Sequence, residues 1–98
     1  MPMFDPAHPG EVIKSDIECL GITMTDAAAA LGIDKSMLSR VINGHSAVTA
    51  EMALRLESVI GGTAEHYLRM QNAYDMAQVR LKKPELSTQL RRLTPISG

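Results

Sequence analysis

A short polar set stands among apolar residues near the middle of the chain. Once the apolar positions of segment 35–43 are set aside, hydroxyl, cationic and amide side chains remain: Lys35, Ser36, Ser39, Arg40 and Asn43. Lysine and arginine bind phosphate oxygens, and a guanidinium can donate two hydrogen bonds to the edge of a guanine. Nothing in the sequence places a nucleophile, a base and an acid together. The available chemistry is therefore hydrogen bonding to a polyanion, and no catalytic residue is expected.

Two short helices joined by a tight turn are predicted to carry this set. The first spans about 24–31 and contains four consecutive alanines, so that another helix can approach closely. Gly32 is expected to adopt a positive φ at the turn, and Asp34 to cap a second helix over 35–42. Core spacing is kept by Ala28, Ile33, Leu38 and Val41. This pattern is typical of the helix-turn-helix, whose second helix lies in the major groove of DNA.

Three more helices are predicted around this pair, over about 9–20, 49–60 and 63–82. Pro9 suits a first helical turn, and Thr49 and Thr63 are good N-caps. The expected buried stripes are Val12, Ile13, Ile17 and Leu20 in the first helix, and Met52, Leu56, Val59 and Ile60 in the fourth. Pro84 prevents the fifth helix from running much further. The sequence thus predicts an all-α fold of five helices.

The predicted organisation is one domain over 9–82, a flexible lead-in over 1–8 and a basic tail over 83–98. The chain has 98 residues, of which 45% are hydrophobic and 21% charged, as in ordinary globular domains. Its single Cys19 excludes an intrachain disulfide and a four-cysteine zinc site. His8, His45 and His66 match no ligand spacing, so neither a metal nor a cofactor is expected. No membrane span or secretory leader is visible, and a cytoplasmic location is expected.

Charge is distributed unevenly along a chain whose net charge is −1. Segment 1–34 has six acidic residues and one basic residue, whereas segment 80–98 has five basic residues and one acidic residue. A polyanion must therefore be bound by local basic groups and not by the whole surface. The backbone N–H groups at helix starts, with Thr25 or Thr49, can add phosphate contacts. The acidic first third is the natural surface for a basic partner.

A heptad-like stripe runs along the fifth predicted helix. Its residues follow at spacings of three and four: Tyr67, Met70, Tyr74, Ala77 and Leu81. Such a stripe can pack against the core of its own domain, or it can form the seam of a homodimer. A reader of palindromic DNA needs a dimer, because two half-sites lie about one helical turn apart. Both interpretations can hold if the first half of the helix packs inward and the second half pairs.

Several segments together resemble the HigA/VapI family of Xre/Cro-type helix-turn-helix antitoxins. The residues that carry the resemblance are HPGE at 8–11, NG at 43–44, VTAEMALRL at 48–56, TAEHYL at 63–68 and QNAYD at 71–75. The resemblance covers about residues 8–80. The chain departs from the family at His66 and Tyr67, where family members commonly have an aromatic pair such as Phe-Trp.

The resemblance implies a compact, lambda-repressor-like domain with two activities. Proteins of this family bind as homodimers to palindromic operators in double-stranded DNA and repress their own promoter. They also bind and neutralise a HigB toxin, which is a RelE-like mRNA endonuclease. By motif position, Lys35, Ser36 and Arg40 would read bases, and Ser39 and Asn43 would contact the DNA backbone. Two alternatives remain open: a stand-alone Xre/Cro-type regulator without a toxin, and a helical protein-interaction module.

Overall fold

The computed structural model describes residues 6–96, and in this range the chain forms six α-helices and no strand. The helices are α1 (Pro9–Leu20), α2 (Met24–Leu31), α3 (Lys35–Ile42), α4 (Ala50–Val59), α5 (Ala64–Leu81) and α6 (Lys83–Ser87). The all-α class is confirmed, but the predicted count of five is wrong by one. The additional helix is the short α6. It lies in the predicted tail. A helix can form there because Pro84 occupies its first turn, where the missing N–H of proline is tolerated.

The start of α1 is held by His8 and Gly10 of the HPGE segment at 8–11. The Nδ1 atom of His8 accepts a hydrogen bond from the backbone N–H of Gly10 at 2.9 Å. Gly10 lies against α3 so closely that a Cβ atom would collide with the carbonyl oxygen of Val41. His8, Pro9 and Gly10 are all buried. The part of the predicted lead-in over 1–5 lies outside the described residues, and its last residue, His8, is fixed in the fold.

The turn between α2 and α3 has the predicted geometry. Thr23 caps α2, since its Oγ1 accepts from the N–H of Asp26 at 3.0 Å, and Gly32 ends the helix with a φ of +72°. Arg55 of α4 closes this end of α2 by donating to the carbonyl oxygen of Leu31 at 2.8 Å. Asp34 occupies the N-cap of α3 in an extended conformation, but its side chain makes no capping hydrogen bond. The predicted N-cap position of Asp34 is therefore confirmed, without the side-chain hydrogen bond that usually accompanies it.

The core lies between α1, α4, the first half of α5 and the α2–α3 pair. Ile13, Leu38 and Leu56 are completely buried, and Ala28 is only 3% exposed, as its position at the helix crossing requires. Three residues of the predicted stripes lie outside the core: Val12 is half-buried, Leu20 is 56% exposed and Val59 is 38% exposed. Leu20 and Val59 are each the last residue of their helix.

The C-terminal third extends away from this core. The first half of α5 packs on α4, whereas Met76, Val79 and Leu81 in its second half are exposed. Residues 88–96 follow α6 without regular secondary structure, and residues 97–98 of the predicted tail lie outside the described range. The described helices include none that is both long and apolar enough to cross a bilayer.

Candidate nucleic-acid interface

The third helix presents a polar outer face on a firmly held inner face. Leu38 and Val41 are at most 1% exposed and fix α3 against the core. The predicted base-reading residues Lys35, Ser36 and Arg40 are all exposed. Lys35 and Ser36 are in the first turn, and Arg40 lies about one turn later, so the donors follow one another along the helix. This face can approach a groove of DNA without any rearrangement of the core.

Arg40 and Lys35 are not engaged in intramolecular ion pairs in the part of the chain that the structure describes. The salt bridge found there joins Arg55 to Glu51 at 3.6 Å. A cation on an exposed helix face that is free of acidic partners keeps its donors for an external anion. Met37 shares this outer surface and is 43% exposed.

The end of α3 and the loop behind it form a second polar region. Asn43 is exposed and donates from Nδ2 to Oγ of the half-buried Ser39 at 3.3 Å. The carbonyl oxygen of Arg40 accepts from the N–H groups of His45 at 2.8 Å and Ser46 at 3.2 Å. The loop is therefore tied directly to the helix that carries the predicted base-reading residues. Its backbone path depends on Gly44, whose φ is +78°.

Thr25 and Thr49, the predicted phosphate contacts, lie at the starts of two different helices. Thr25 is exposed in the first turn of α2. Thr49 is the N-cap of α4, and its Oγ1 accepts from the N–H of Met52 at 3.2 Å. A hydroxyl that accepts in this way still has its proton to donate. Both residues are thus compatible with a phosphate contact, and neither hydroxyl donates to another group within residues 6–96.

Sequence reasoning missed Gln71, which is the polar residue that holds the loop from behind. Gln71 is only 6% exposed, and its Oε1 accepts from the N–H of Val48 at 2.8 Å. Its Nε2 donates to Oδ1 of Asp75 at 2.9 Å. The signal was present, because Gln71 stands one turn after Tyr67 on the apolar face of α5, where a polar side chain needs a buried partner.

The predicted stripe on α5 is divided between two environments. Tyr67 is 3% exposed and donates from its hydroxyl to the carbonyl oxygen of Gly61 at 3.0 Å, so the core interpretation replaces the interface interpretation at this residue. Burial, with the nearby negative charge of Asp16, raises the pKa of Tyr67. Tyr74 is half-buried and packs edge-on against His8, with ring centroids 4.9 Å apart. Met70 and Ala77 are also half-buried, whereas Leu81 is 68% exposed.

His8 is a neutral cap in this setting. Burial lowers the pKa of His8, and the negative charges of Asp75 and Glu11 oppose that shift only in part. The cap itself requires a lone pair on Nδ1, which protonation would remove. In the described range, no three His, Cys, Asp or Glu side chains come close enough together to hold a metal ion.

The chain matches known proteins over most of its length. A protein-family model described as helix-turn-helix matches residues 13–67, which is more than half of the chain. Virulence-associated protein A′ of Dichelobacter nodosus is 42% identical over 78 residues, covering 79% of this chain and 68% of that protein. Antitoxin HigA-1 of Vibrio cholerae is 35% identical over 81 residues, covering 82% of this chain and 76% of that protein.

A solved structure also has the same architecture. The structure of antitoxin GraA in complex with its operator matches with a TM-score of 0.81 at 27% sequence identity. The match covers 97% of this chain and 98% of GraA. The chain belongs to the HigA/VapI family of Xre/Cro-type helix-turn-helix antitoxins.

Proposed function

We propose that this chain is a homodimeric, sequence-specific DNA-binding protein that represses its own operon and neutralises a HigB-like toxin. The observation that carries the DNA-binding part is the outer face of α3. There Lys35, Ser36 and Arg40 are exposed on a helix whose inner face is locked in the core. Such a helix enters the major groove as a rigid unit, and its N-terminal residues contact base edges.

Phosphate contacts would hold this helix in register. The exposed side chain of Asn43 follows α3, and Thr25 and Thr49 lie at helix starts, where backbone N–H groups bind anions. These contacts position the protein and carry no sequence information themselves, whereas Arg40 can discriminate guanine. GraA, with a similar fold, has been solved in complex with its operator, which supports an operator as the ligand here.

We place the homodimer seam at the far end of α5 and not at Tyr67. Exposed apolar side chains accumulate there and in α6: Met76, Val79, Leu81 and Leu86. A monomer gains nothing from exposing this surface, and a second copy would cover it by a twofold arrangement. Met70, Tyr74 and Ala77 would then lie at the inner edge of the seam, since they are already half-covered by their own domain.

The toxin part of the proposal draws on the relatives and on charge. HigA-1 of Vibrio cholerae is named an antitoxin and is 35% identical to this chain. The outer side of α1 carries exposed acidic residues, including Glu11 and Glu18. A ribosome-directed ribonuclease must itself be basic to bind RNA, so an acidic surface is complementary to it. Neutralisation would be a binding event, with no bond made or broken by this chain.

Fluorescence anisotropy on DNA tests the central part of this proposal. The labelled duplexes are the upstream region of the gene and a scrambled duplex of the same composition, each measured at two salt concentrations. We expect tight binding to the upstream duplex with two protomers per site, and affinity that falls steeply as salt rises because counterions are released. Equal, weak binding to both duplexes would contradict repression at that site.

Co-expression with the product of the adjacent gene tests the toxin part separately. We expect a small basic protein to co-purify with this chain and to lose its ribonuclease activity in the complex. DNA binding without such a partner would support the stand-alone regulator instead.

A further inference from the structure

The loop between α3 and α4 is held at two points that belong to different parts of the fold. At its front, the N–H groups of His45 and Ser46 donate to the carbonyl oxygen of Arg40. At its rear, the N–H of Val48 donates to Oε1 of Gln71 at 2.8 Å. The loop therefore joins the helix that carries the base-reading residues to a side chain of α5.

The rear attachment is buried and has a fixed donor pattern. Val48 is 2% exposed and Gln71 is 6% exposed, so water cannot replace the bond between them. The amide of Gln71 is also oriented, because Nε2 donates to Oδ1 of Asp75 at 2.9 Å. Asp75 thus fixes which end of the amide faces the loop. If the amide were rotated by half a turn, an N–H of Gln71 would face the N–H of Val48.

Both ends of this loop lie next to proposed DNA contacts. Asn43 precedes the loop, the carbonyl oxygen of Arg40 accepts two hydrogen bonds from it, and Thr49 immediately follows Val48. A displacement of Val48 would move the N-cap of α4 and the end of α3 relative to each other. The spacing between a base-reading side chain and a phosphate contact would then change, while most of the core would be unaffected.

We propose that Gln71, oriented by Asp75, is a positioning residue for DNA recognition that sets the α3–α4 loop from within α5. The inference rests on the proposed function, since it concerns the same DNA-binding surface. Gln71 does not touch DNA in this scheme; it acts through the backbone of Val48. The QNAYD segment at 71–75 would then serve two contacts of α5. Gln71 and Asp75 hold the α3–α4 loop, and Tyr74 packs on His8 at the start of α1.

The test changes the hydrogen-bonding groups of Gln71 and Asp75 while keeping side chains of similar size. In Gln71→Glu, two carboxylates face each other, and the donor to Asp75 is lost. In the double variant Gln71→Glu/Asp75→Asn, the introduced carboxylate can still accept from the N–H of Val48, and the introduced amide donates to that carboxylate. Gln71→Met removes both hydrogen bonds. The control is Glu57→Met, since Glu57 accepts from the N–H of Ala64 at 2.7 Å, which is a comparable bond in the α4–α5 turn.

The readout is the ratio of affinities for the upstream and scrambled duplexes. It is measured at a temperature well below the thermal unfolding midpoint of every variant. We expect the ratio to fall about tenfold in Gln71→Met, which loses the buried hydrogen bond to Val48. We expect a similar fall in Gln71→Glu, because repulsion from Asp75 turns the new carboxylate away from the N–H of Val48. The double variant should recover the ratio, and Glu57→Met should keep it even though its unfolding midpoint drops. Amide exchange of Val48 in the free protein should accelerate only in the two single Gln71 variants.

Each other result overturns a definite statement. If the wild type is selective and the Gln71 variants keep its ratio, the positioning role is wrong and the proposed function stands. If Glu57→Met loses the ratio equally, the effect is one of general stability and the positioning role is again wrong. If the wild type does not discriminate between the duplexes, the proposed function fails. Should Gln71→Met not fold, the comparison of Gln71→Glu with the double variant decides alone.

Discussion

At the residue scale, the α3 surface depends on a few side chains with separate tasks. Arg40 offers a guanidinium to the outside, while its own carbonyl oxygen anchors the following loop. Its side chain and its backbone can therefore be tested independently, because a side-chain substitution leaves the carbonyl in place.

Arg40→Ala should weaken binding to the upstream duplex by about 1–3 kcal/mol and relax specificity at one base pair. Anisotropy titrations with single-base variants of the duplex measure both effects. Arg69→Ala is the matched control, since it removes the same charge from an exposed position on α5. Circular dichroism should show full helicity in both variants. An unchanged affinity in Arg40→Ala would remove Arg40 from the interface.

His8 should make stability depend on pH near neutrality. The pKa of His8 is lowered in the folded state, so protonation favours the unfolded chain. The stabilising contribution is complete above the ordinary pKa of histidine, about 6.5. It is lost as pH falls from there through the lowered pKa of the folded state.

Thermal unfolding between pH 7.5 and 5.5, a window of about one unit either side of that ordinary value, tests this expectation. The unfolding midpoint of the wild type should drop across the window. His8→Asn should show a smaller drop, because asparagine can cap the helix without titrating. His45→Asn, at an exposed loop position, should behave like the wild type. Equal slopes in all three proteins would show that His8 does not titrate with folding.

At the element scale, the first five helices begin and end within one residue of the predicted positions. Thr23, Thr49 and Thr63 each accept a hydrogen bond from an N–H three residues ahead. Gly21 and Gly32 end α1 and α2 with positive φ. The two glycines have the same backbone conformation but different neighbours, and this makes them a matched pair for substitution.

Alanine at either glycine should cost about 1–2 kcal/mol of unfolding free energy, because an L-residue is strained at positive φ. Gly32→Ala should cost more than Gly21→Ala. A Cβ at Gly32 would lie 2.9 Å from Nη1 of Arg55, whereas nothing lies within 4 Å at Gly21. Relief of that contact would break the bond from Arg55 to Leu31. Urea titrations measure the difference, and equal costs would show that Arg55 moves without loss.

At the scale of the whole molecule, the exposed polar face of α3 and the exposed apolar end of α5 lie in different parts of the fold. One end carries the exposed face of α3, and α5 leads away from the core towards exposed apolar side chains and the basic segment 80–92. A dimer seam at this far end would leave both copies of α3 free to contact DNA. The proposed dimer can therefore be tested by a substitution in the seam that leaves the core and the α3 face unchanged.

Val79→Glu should shift the protein from dimer to monomer, because a charge would be buried in the seam. Sedimentation equilibrium measures the dissociation constant, which we expect to rise at least about tenfold. Leu54→Glu is the control: Leu54 is 57% exposed on α4, away from the proposed seam. Dissociation in Leu54→Glu but not in Val79→Glu would place the seam elsewhere.

The helix class, the α2–α3 turn and the polar set on α3 follow from the amino-acid sequence. Caps, glycines and helical periodicity act over a few residues, so these features can be predicted locally. The burial of Tyr67, the exposure of Leu20 and the close approach of Gly10 to Val41 are visible only in the packed fold. The bond between Gln71 and Val48 joins residues 23 positions apart. Burial and such pairing depend on which helix faces which, and that is settled by packing of the whole chain.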